Sequence, residues 1–268
     1  LVGIVPVARL LTTDPEATVS DVMDEEPEAI PVNMPDDEVA SMFERYNWLS
    51  APVVDDKHRL VGRITIDDVV DIIREDAEHS MMSMAGLDDE EDTFAPVWQS
   101  TRRRSVWLGV NLFTALMAAA VSDLFEATLS QLAVLAILNT IVPSMGGVAG
   151  NQTLTLVIRG MALGHVNPSN SRWLITKEFA IGLLNGVIWA VLIATVIAAW
   201  KQDLTLGIII AFAMLMNMIA AALSGATLPI VMKKLRIDPA LAGSVILTTI
   251  TDVVGIFAFL GTATLFLV

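Results

Sequence analysis

The chain has 268 residues, 54% of them hydrophobic, and its 30 acidic and 16 basic side chains give a net charge of −14. It has no cysteine, which excludes disulfides, thiolate metal sites and cysteine redox chemistry. Its three histidines are too scattered for an imidazole metal site, no nucleophile–base pair indicates an enzyme, and so acidic a chain is not expected to bind nucleic acid.

Composition divides the chain into two halves. Residues 1–100 carry 24 acidic and 6 basic side chains, a net charge of −18. Residues 101–268 carry 6 acidic and 10 basic side chains, a net charge of +4. The excess of apolar residues follows Trp107. We therefore expect an acidic α/β region followed by an all-α membrane domain. Because the sequence begins at Leu1 with neither an initiator Met nor a signal peptide, we also expect it to be a piece of a longer protein.

The acidic half contains an internal repeat, since residues 1–11 match residues 60–70, each as an apolar strand that leads into a helix. Apolar periodicity predicts the elements around the second copy. These are strands at 28–32, 50–54 and 60–65, helices at 36–46 and 67–78, and a turn at 55–58.

This order of elements, with Pro52-Val-Val-Asp55 at a strand end and a Gly62-x-x-Thr65-x-x-Asp68 turn, resembles a cystathionine-β-synthase-type (CBS) regulatory module. The resemblance implies one module over residues 18–82, preceded over residues 1–17 by the end of another module and a linker. In such modules the Thr and Asp of this turn hold a ribose hydroxyl, which implies an adenine nucleotide such as ATP at Thr65 and Asp68. A purely structural role for both residues at a helix N-terminus fits the sequence equally well.

Residues 83–104 are predicted to be an acidic linker and a connecting helix that leads into the membrane domain, residues 105–268. The acidic run at residues 88–92 within it has two interpretations. It belongs to a segment that transmits a signal to the first span, or it is only a solvated turn.

Five apolar stretches are long enough, or nearly so, to cross a hydrocarbon core that needs about 20 helical residues. They cover residues 106–125, 129–149, 179–200, 204–231 and 241–268. Of the ten basic residues after position 100, nine lie before the first span, between the second and third, or between the fourth and fifth, and Lys201 alone lies on the other side. The N-terminal region is therefore predicted to be cytosolic and the C-terminus to lie outside the cell membrane.

Asp252 is the polar residue that stands out within these spans. A carboxylate at the centre of a span costs about 2.5–3.5 kcal/mol on insertion scales, so it is expected to face a polar cavity. Nearby sequence offers no Lys or Arg to pair with it, which favours a role in an ion pathway. Thr248 and Thr249 add hydroxyl groups about one helical turn earlier.

The second predicted span ends in a stretch of small and polar residues that begins at Pro143. Proline interrupts a helical backbone, and broken backbone at membrane depth is tolerated where it is buried in protein or lines water. The predicted pore-lining residues here are Gly146, Gly147, Gly150, Asn151 and Gln152. Close packing of small residues between helices is the alternative explanation for the glycines.

Taken together, Pro143…Gly150-Asn-Gln152, Leu228-Pro229, Leu235-Arg-Ile-Asp-Pro-Ala240 and Thr248-Thr-Ile-Thr-Asp252 resemble the MgtE-type magnesium channels. The resemblance implies a homodimer with five spans per subunit and a pore on the two-fold axis. It implies that Asp252 selects the ion, and that Asp68, Asp71 and Asp238 bind regulatory Mg²⁺.

A magnesium channel gated by cytosolic Mg²⁺ through its CBS modules is therefore the expected function, with Mg²⁺, lipid and a second subunit as partners. A proton- or sodium-coupled secondary transporter, which would use Asp252 as a protonation site, is the nearest alternative. The other is a nucleotide-sensing membrane scaffold that transports nothing.

Overall fold

The computed structural model describes residues 1–25, 27–87, 92–167 and 169–267. The chain divides into two compact units, residues 1–79 and residues 80–268, which are described separately below. Most of the acidic run predicted within the linker, residues 88–91, lies outside the described residues, as does Val268 at the end of the fifth predicted span.

A small three-stranded sheet organises the first unit. Strand order is β1-β2-β3, with β1 parallel to β2 and β2 antiparallel to β3. The elements along this part of the chain are α1 Val7–Thr12, α2 Val19–Val22, β1 Ile30–Pro31, α3 Asp36–Tyr46, β2 Ser50–Val54, β3 Leu60–Thr65 and α4 Ile66–Met84.

One apolar cluster holds this unit together. It consists of Ile30, Val39, Phe43, Ala51 and Val69, each at most 4% exposed. Trp48 packs edge-on against Phe43 with ring centroids 5.6 Å apart. The predicted strand–helix–strand–strand–helix order is confirmed, and the mixed α/β class with it. In the first copy of the repeat, a single antiparallel bridge from Ile4 to Asp24 replaces the predicted strand.

Helices alone form the described part of the second unit between Val97 and Leu267. They are α5 Val97–Asp123, α6 Glu126–Gln131, α7 Ala133–Leu138, α8 Ile141–Ala162, α9 Ser171–Lys201, α10 Leu204–Lys234 and α11 Pro239–Leu267. Five helical segments, with α7 and α8 together counted as one, are long and apolar enough to cross a membrane. Helix α10 is the centre of the bundle, since 56% of its most apolar stretch is buried against 6% for α5.

The second span differs from the sequence-based expectation, and the fourth ends at Lys234, beyond its predicted end at residue 231. The second was predicted to end at residue 149 in a broken segment, yet α8 runs without interruption from Ile141 to Ala162. Pro143 is its third residue, where a missing N–H breaks no intrahelical hydrogen bond. Pro229 lies near the C-terminal end of α10, and the helix continues past it to Lys234.

Candidate functional site

Helices α8 and α11 pack closely and antiparallel through small residues. A β-carbon built at each glycine of this contact would lie within van der Waals distance of the facing helix, or closer. The pairs are Gly255 with Pro143 Cγ at 3.2 Å, Gly147 with Thr251 Oγ1 at 3.9 Å, Gly150 with Leu247 Cδ1 at 3.0 Å and Gly243 with Leu154 Cδ1 at 3.2 Å. A larger residue at Gly255 would crowd the ring and backbone of Pro143, and one at Gly150 or Gly243 would require the facing leucine to move, so small residues favour this close approach.

Asp252 lies beside this contact, as the fourteenth of the 29 residues of α11. It follows the fully buried Thr251 and is itself partly exposed. No salt bridge to Asp252 is found among the described residues. An unpaired carboxylate near the middle of a membrane-spanning helix is expected to face water or another polar group.

Hydroxyl groups line α11 on the N-terminal side of Asp252. Thr248 Oγ1 donates to the carbonyls of Ser244 and Val245 at 3.1 and 3.0 Å, and Thr249 Oγ1 donates to Val245 at 2.8 Å. Because their protons are used within the helix, these oxygens present lone pairs to the outside. They can accept hydrogen bonds from the water molecules around a cation.

The residues of α8 that were predicted to line a pore differ in exposure. Gly147 and Asn151 are partly exposed and Gln152 is exposed, so their surfaces are free within this chain. Gly146 and Gly150 are buried, Gly146 against Asn217 and Gly150 against Leu247. The structure therefore gives these two glycines the packing contacts that the alternative explanation expects, and their part in a pore stays a prediction.

Two buried polar residues of the bundle were missed in the sequence. Glu178 of α9 is 2% exposed, and its carboxylate accepts a hydrogen bond of 3.2 Å from Thr153 of α8. Lys177 lies 3.6 Å from its other oxygen. Asn217 of α10 is fully buried and donates from Nδ2 to the carbonyl of Val142 at 2.7 Å. Asn217 is an isolated polar residue in an apolar stretch, a signal that the sequence did contain, whereas Glu178 follows Lys177 just before the predicted third span.

The carboxylates predicted to bind regulatory Mg²⁺ lie in different units. Asp68 and Asp71 are exposed residues of α4 in the first unit, whereas Asp238 precedes α11 in the second. Asp238 Oδ1 accepts from the backbone N–H of Ala240 at 2.9 Å, as an N-cap residue does. Among the described residues no three His, Cys, Asp or Glu side chains group as a metal site, so the shared regulatory site stays a prediction.

Thr65 and Asp68 lie where β3 ends and α4 begins. Asp68 Oδ2 accepts hydrogen bonds of 3.0 Å from both the backbone N–H and the hydroxyl of Thr65. This pairing is half of a capping box and gives both residues a structural role at the helix start. Nucleotide binding by the same residues stays a prediction.

Family models match both halves of the chain. The MgtE model, described as a divalent cation transporter, matches residues 139–262, and the CBS domain model matches residues 19–75. The first range contains the contact between α8 and α11, with Asp252. A protein of Bacillus subtilis named magnesium transporter MgtE is 34% identical over 269 residues, which cover all of this chain. The chain belongs to the MgtE family.

Two further MgtE proteins align along the whole chain. The magnesium transporter MgtE of Enterococcus faecalis is 30% identical over 267 residues, and that of Thermus thermophilus is 28% identical over 272 residues. The chain spans 59–60% of the length of these relatives. With five helices able to span a bilayer, this member of the MgtE family is a multi-pass membrane protein.

Proposed function

We propose that this chain is the sensor and pore part of a magnesium channel, in which Mg²⁺ passes Asp252 and cytosolic Mg²⁺ closes the pore. The names of its relatives support magnesium as the cargo. The observation that carries the proposal is Asp252, a partly exposed carboxylate near the middle of α11.

The chemistry of Mg²⁺ explains why one Asp252 is not enough. Mg²⁺ prefers six oxygen ligands at about 2.0–2.1 Å and gives up its water reluctantly. A second subunit related by a two-fold axis would add a second carboxylate, so that two negative charges face the hydrated ion. Such a homodimer would also remove Asp252 from lipid, where a carboxylate costs about 2.5–3.5 kcal/mol.

Neutral oxygens would then hold the hydration shell. Asn151 and Gln152 of α8, and Thr248 and Thr249 of α11, are exposed or partly exposed within this chain. Their oxygens can accept hydrogen bonds from the waters of a hydrated ion without stripping them from it.

Regulation is proposed to follow from the charge of the acidic region. Residues 1–100 carry a net charge of −18, which favours an expanded arrangement when no cation is bound. If Mg²⁺ at Asp68, Asp71 and Asp238 binds a compact arrangement more tightly, it shifts the population toward that arrangement. If the compact arrangement is the closed one, high cytosolic Mg²⁺ closes the channel. The N-terminal region would lie in the cytosol, and ATP at Thr65 and Asp68 would be a second regulator.

Magnesium flux into liposomes, followed by a magnesium-sensitive dye, tests the permeation step. Asp252→Ala and Asp252→Asn should both abolish flux while the protein still elutes as a folded dimer. Asp203→Asn is the matched control, because Asp203 caps α10 through the N–H groups of Thr205 and Leu206 and asparagine caps equally well. Normal flux through a folded Asp252→Ala variant would contradict the pore assignment.

The same liposomes separate the competing functions. A proton-coupled transporter would move protons with Mg²⁺ and respond to an imposed pH gradient, whereas a channel would follow the Mg²⁺ gradient and the membrane potential alone. A nucleotide-sensing scaffold would give no flux in the unmodified protein.

A further inference from the structure

Asn217 occupies the point where α10 meets both helices of the candidate pore. Its side chain is fully buried, and Nδ2 donates to the Val142 carbonyl of α8 at 2.7 Å. A β-carbon at Gly146 of α8 would collide with Nδ2, and one at Gly255 of α11 would lie 2.9 Å from it. The amide therefore fills the space that two glycines leave open on two different helices.

This contact lies one helical turn from the ion site. Gly255 is three residues after Asp252 on α11, and Gly146 directly precedes Gly147, which faces Thr251. Residues three apart on a helix share a face, so a shift of α11 at Gly255 also moves Asp252. Asn217 itself is fully buried and is therefore not placed to touch the permeating ion in this chain.

Packing alone would favour an apolar side chain at position 217 over an amide. Asn217 Oδ1 has no hydrogen-bond partner within the described residues, and burying such a group is unfavourable. The favourable polar contact that offsets this cost is the hydrogen bond from Asn217 Nδ2 to the Val142 carbonyl of α8.

On the basis of the proposed pore at Asp252, we propose that Asn217 is a positioning residue of the ion site. Its Nδ2 group fixes the start of α8, and its volume between Gly146 and Gly255 holds α8 and α11 at the separation that aligns Asp252 with Gly147 and Asn151. Selectivity between divalent ions depends on that alignment, because Mg²⁺ requires a narrower coordination geometry than Ca²⁺.

The rate of disulfide formation between two introduced cysteines measures the separation of α8 and α11 without any transport assay. The chain has no cysteine, and a β-carbon at Gly147 lies 3.9 Å from Thr251 Oγ1, so Gly147→Cys with Thr251→Cys brings two thiols close enough to test for a disulfide. Free thiols after timed oxidation can be counted by the gel shift of a polyethylene glycol maleimide. Asn217→Ala should slow disulfide formation about tenfold, within the range of coupling between contacting residues. The control is Asn185→Ala, which removes an exposed asparagine of α9.

Transport measurements test the link to selectivity. Asn217→Ala should lower the ratio of Mg²⁺ to Ca²⁺ flux, whereas a merely structural role would lower both fluxes together. Gly146→Ala should also reduce Mg²⁺ flux, and the added Asn217→Ala change should restore part of it because the colliding amide is gone. An unchanged disulfide rate and flux ratio in Asn217→Ala, or no rescue of Gly146→Ala, would overturn the positioning role. If the unmodified protein carried no Mg²⁺ the proposed function would fail, and the disulfide rate would still decide whether Asn217 sets the helix separation.

Discussion

Asp238 and Asp252 lie on one continuous helix, and this permits a test of how a regulatory ion could act on the pore. Asp238 caps α11, which runs unbroken from Pro239 to Leu267. Fourteen residues at about 1.5 Å each separate the two carboxylates by about 21 Å along the helix axis. The perturbation is Asp238→Asn, which removes the charge and keeps an oxygen for the N–H of Ala240.

The direct electrostatic effect of this change on the pore ion is small. Through an aqueous path of about 21 Å, one charge acting on a divalent ion contributes about 0.4 kcal/mol, which is about a factor of two in affinity. Screening with a Debye length of about 8 Å reduces this to less than about 0.05 kcal/mol. If this path is aqueous, a regulatory ion at Asp238 is expected to act by moving α11 and not by its charge alone.

Single-channel recordings in planar bilayers can separate the two effects. Asp238→Asn should raise the open probability at high cytosolic Mg²⁺ and leave the selectivity for Mg²⁺ over Ca²⁺ unchanged. Asp203→Asn, the equivalent change at the cap of α10, should alter neither. Altered selectivity with unaltered gating in Asp238→Asn would place Asp238 in the permeation path and refute this division of roles.

Two further predictions concern a buried carboxylate, Glu178, and a partly exposed one, Asp55. Glu178→Leu should destabilise the protein by about 1–3 kcal/mol because it leaves the buried Thr153 hydroxyl without its acceptor. Glu178→Gln keeps an acceptor and should cost less. Equal melting temperatures in detergent for both variants and the unmodified protein would contradict the role of this hydrogen bond. In the first unit, the side-chain hydrogen bond from Arg59 holds the pKa of Asp55 below its usual value, aided by the Arg59 and Lys57 backbone N–H groups. The contribution of Asp55 to the free energy of unfolding is therefore present above about pH 4 and is lost as the pH falls through the lowered pKa. Hydrogen exchange in the turn between β2 and β3 should distinguish Asp55→Asn from the unmodified protein at pH 6, and the difference should shrink below about pH 4.

Local sequence signals were sufficient to predict the helices, strands and spans where those signals agreed with tertiary packing. Helix α3 has the predicted bounds because Pro35 precedes it, acidic residues fill its first turn, and Asn47 ends it with a left-handed φ of 51°. Strands β2 and β3 also have the predicted bounds, with the predicted turn at residues 55–58 between them. Five spans were also predictable, since the length of an apolar helix depends on the bilayer and not on its neighbours.

The interior of the bundle was harder to predict, because the role of a residue there depends on which helix packs against it. Proline and glycine in α8 favour a break locally, yet Gly146 and Gly150 lie inside a continuous helix that other side chains contact. The buried positions of Glu178 and Asn217 depend on which helix faces them, and a single sequence does not give helix pairing. The position of Asp252 within a span could be predicted from the sequence alone, and its role in a pore stays a prediction.

The packing of the bundle gives α11 a special place in any coupling between the acidic region and the pore. Apolar side chains gain little by leaving lipid for a helix interface, so close contacts at small residues hold membrane helices together. Helices α8, α9 and α10 meet through such contacts at Gly182, Gly186 and Gly225. Helix α5 makes few buried contacts and packs mainly against α11. A movement of α5 would therefore act first on the helix that carries Asp252. Since Asn217 packs against Gly255 of α11, the proposed positioning role makes that contact the place where the bundle would resist the movement.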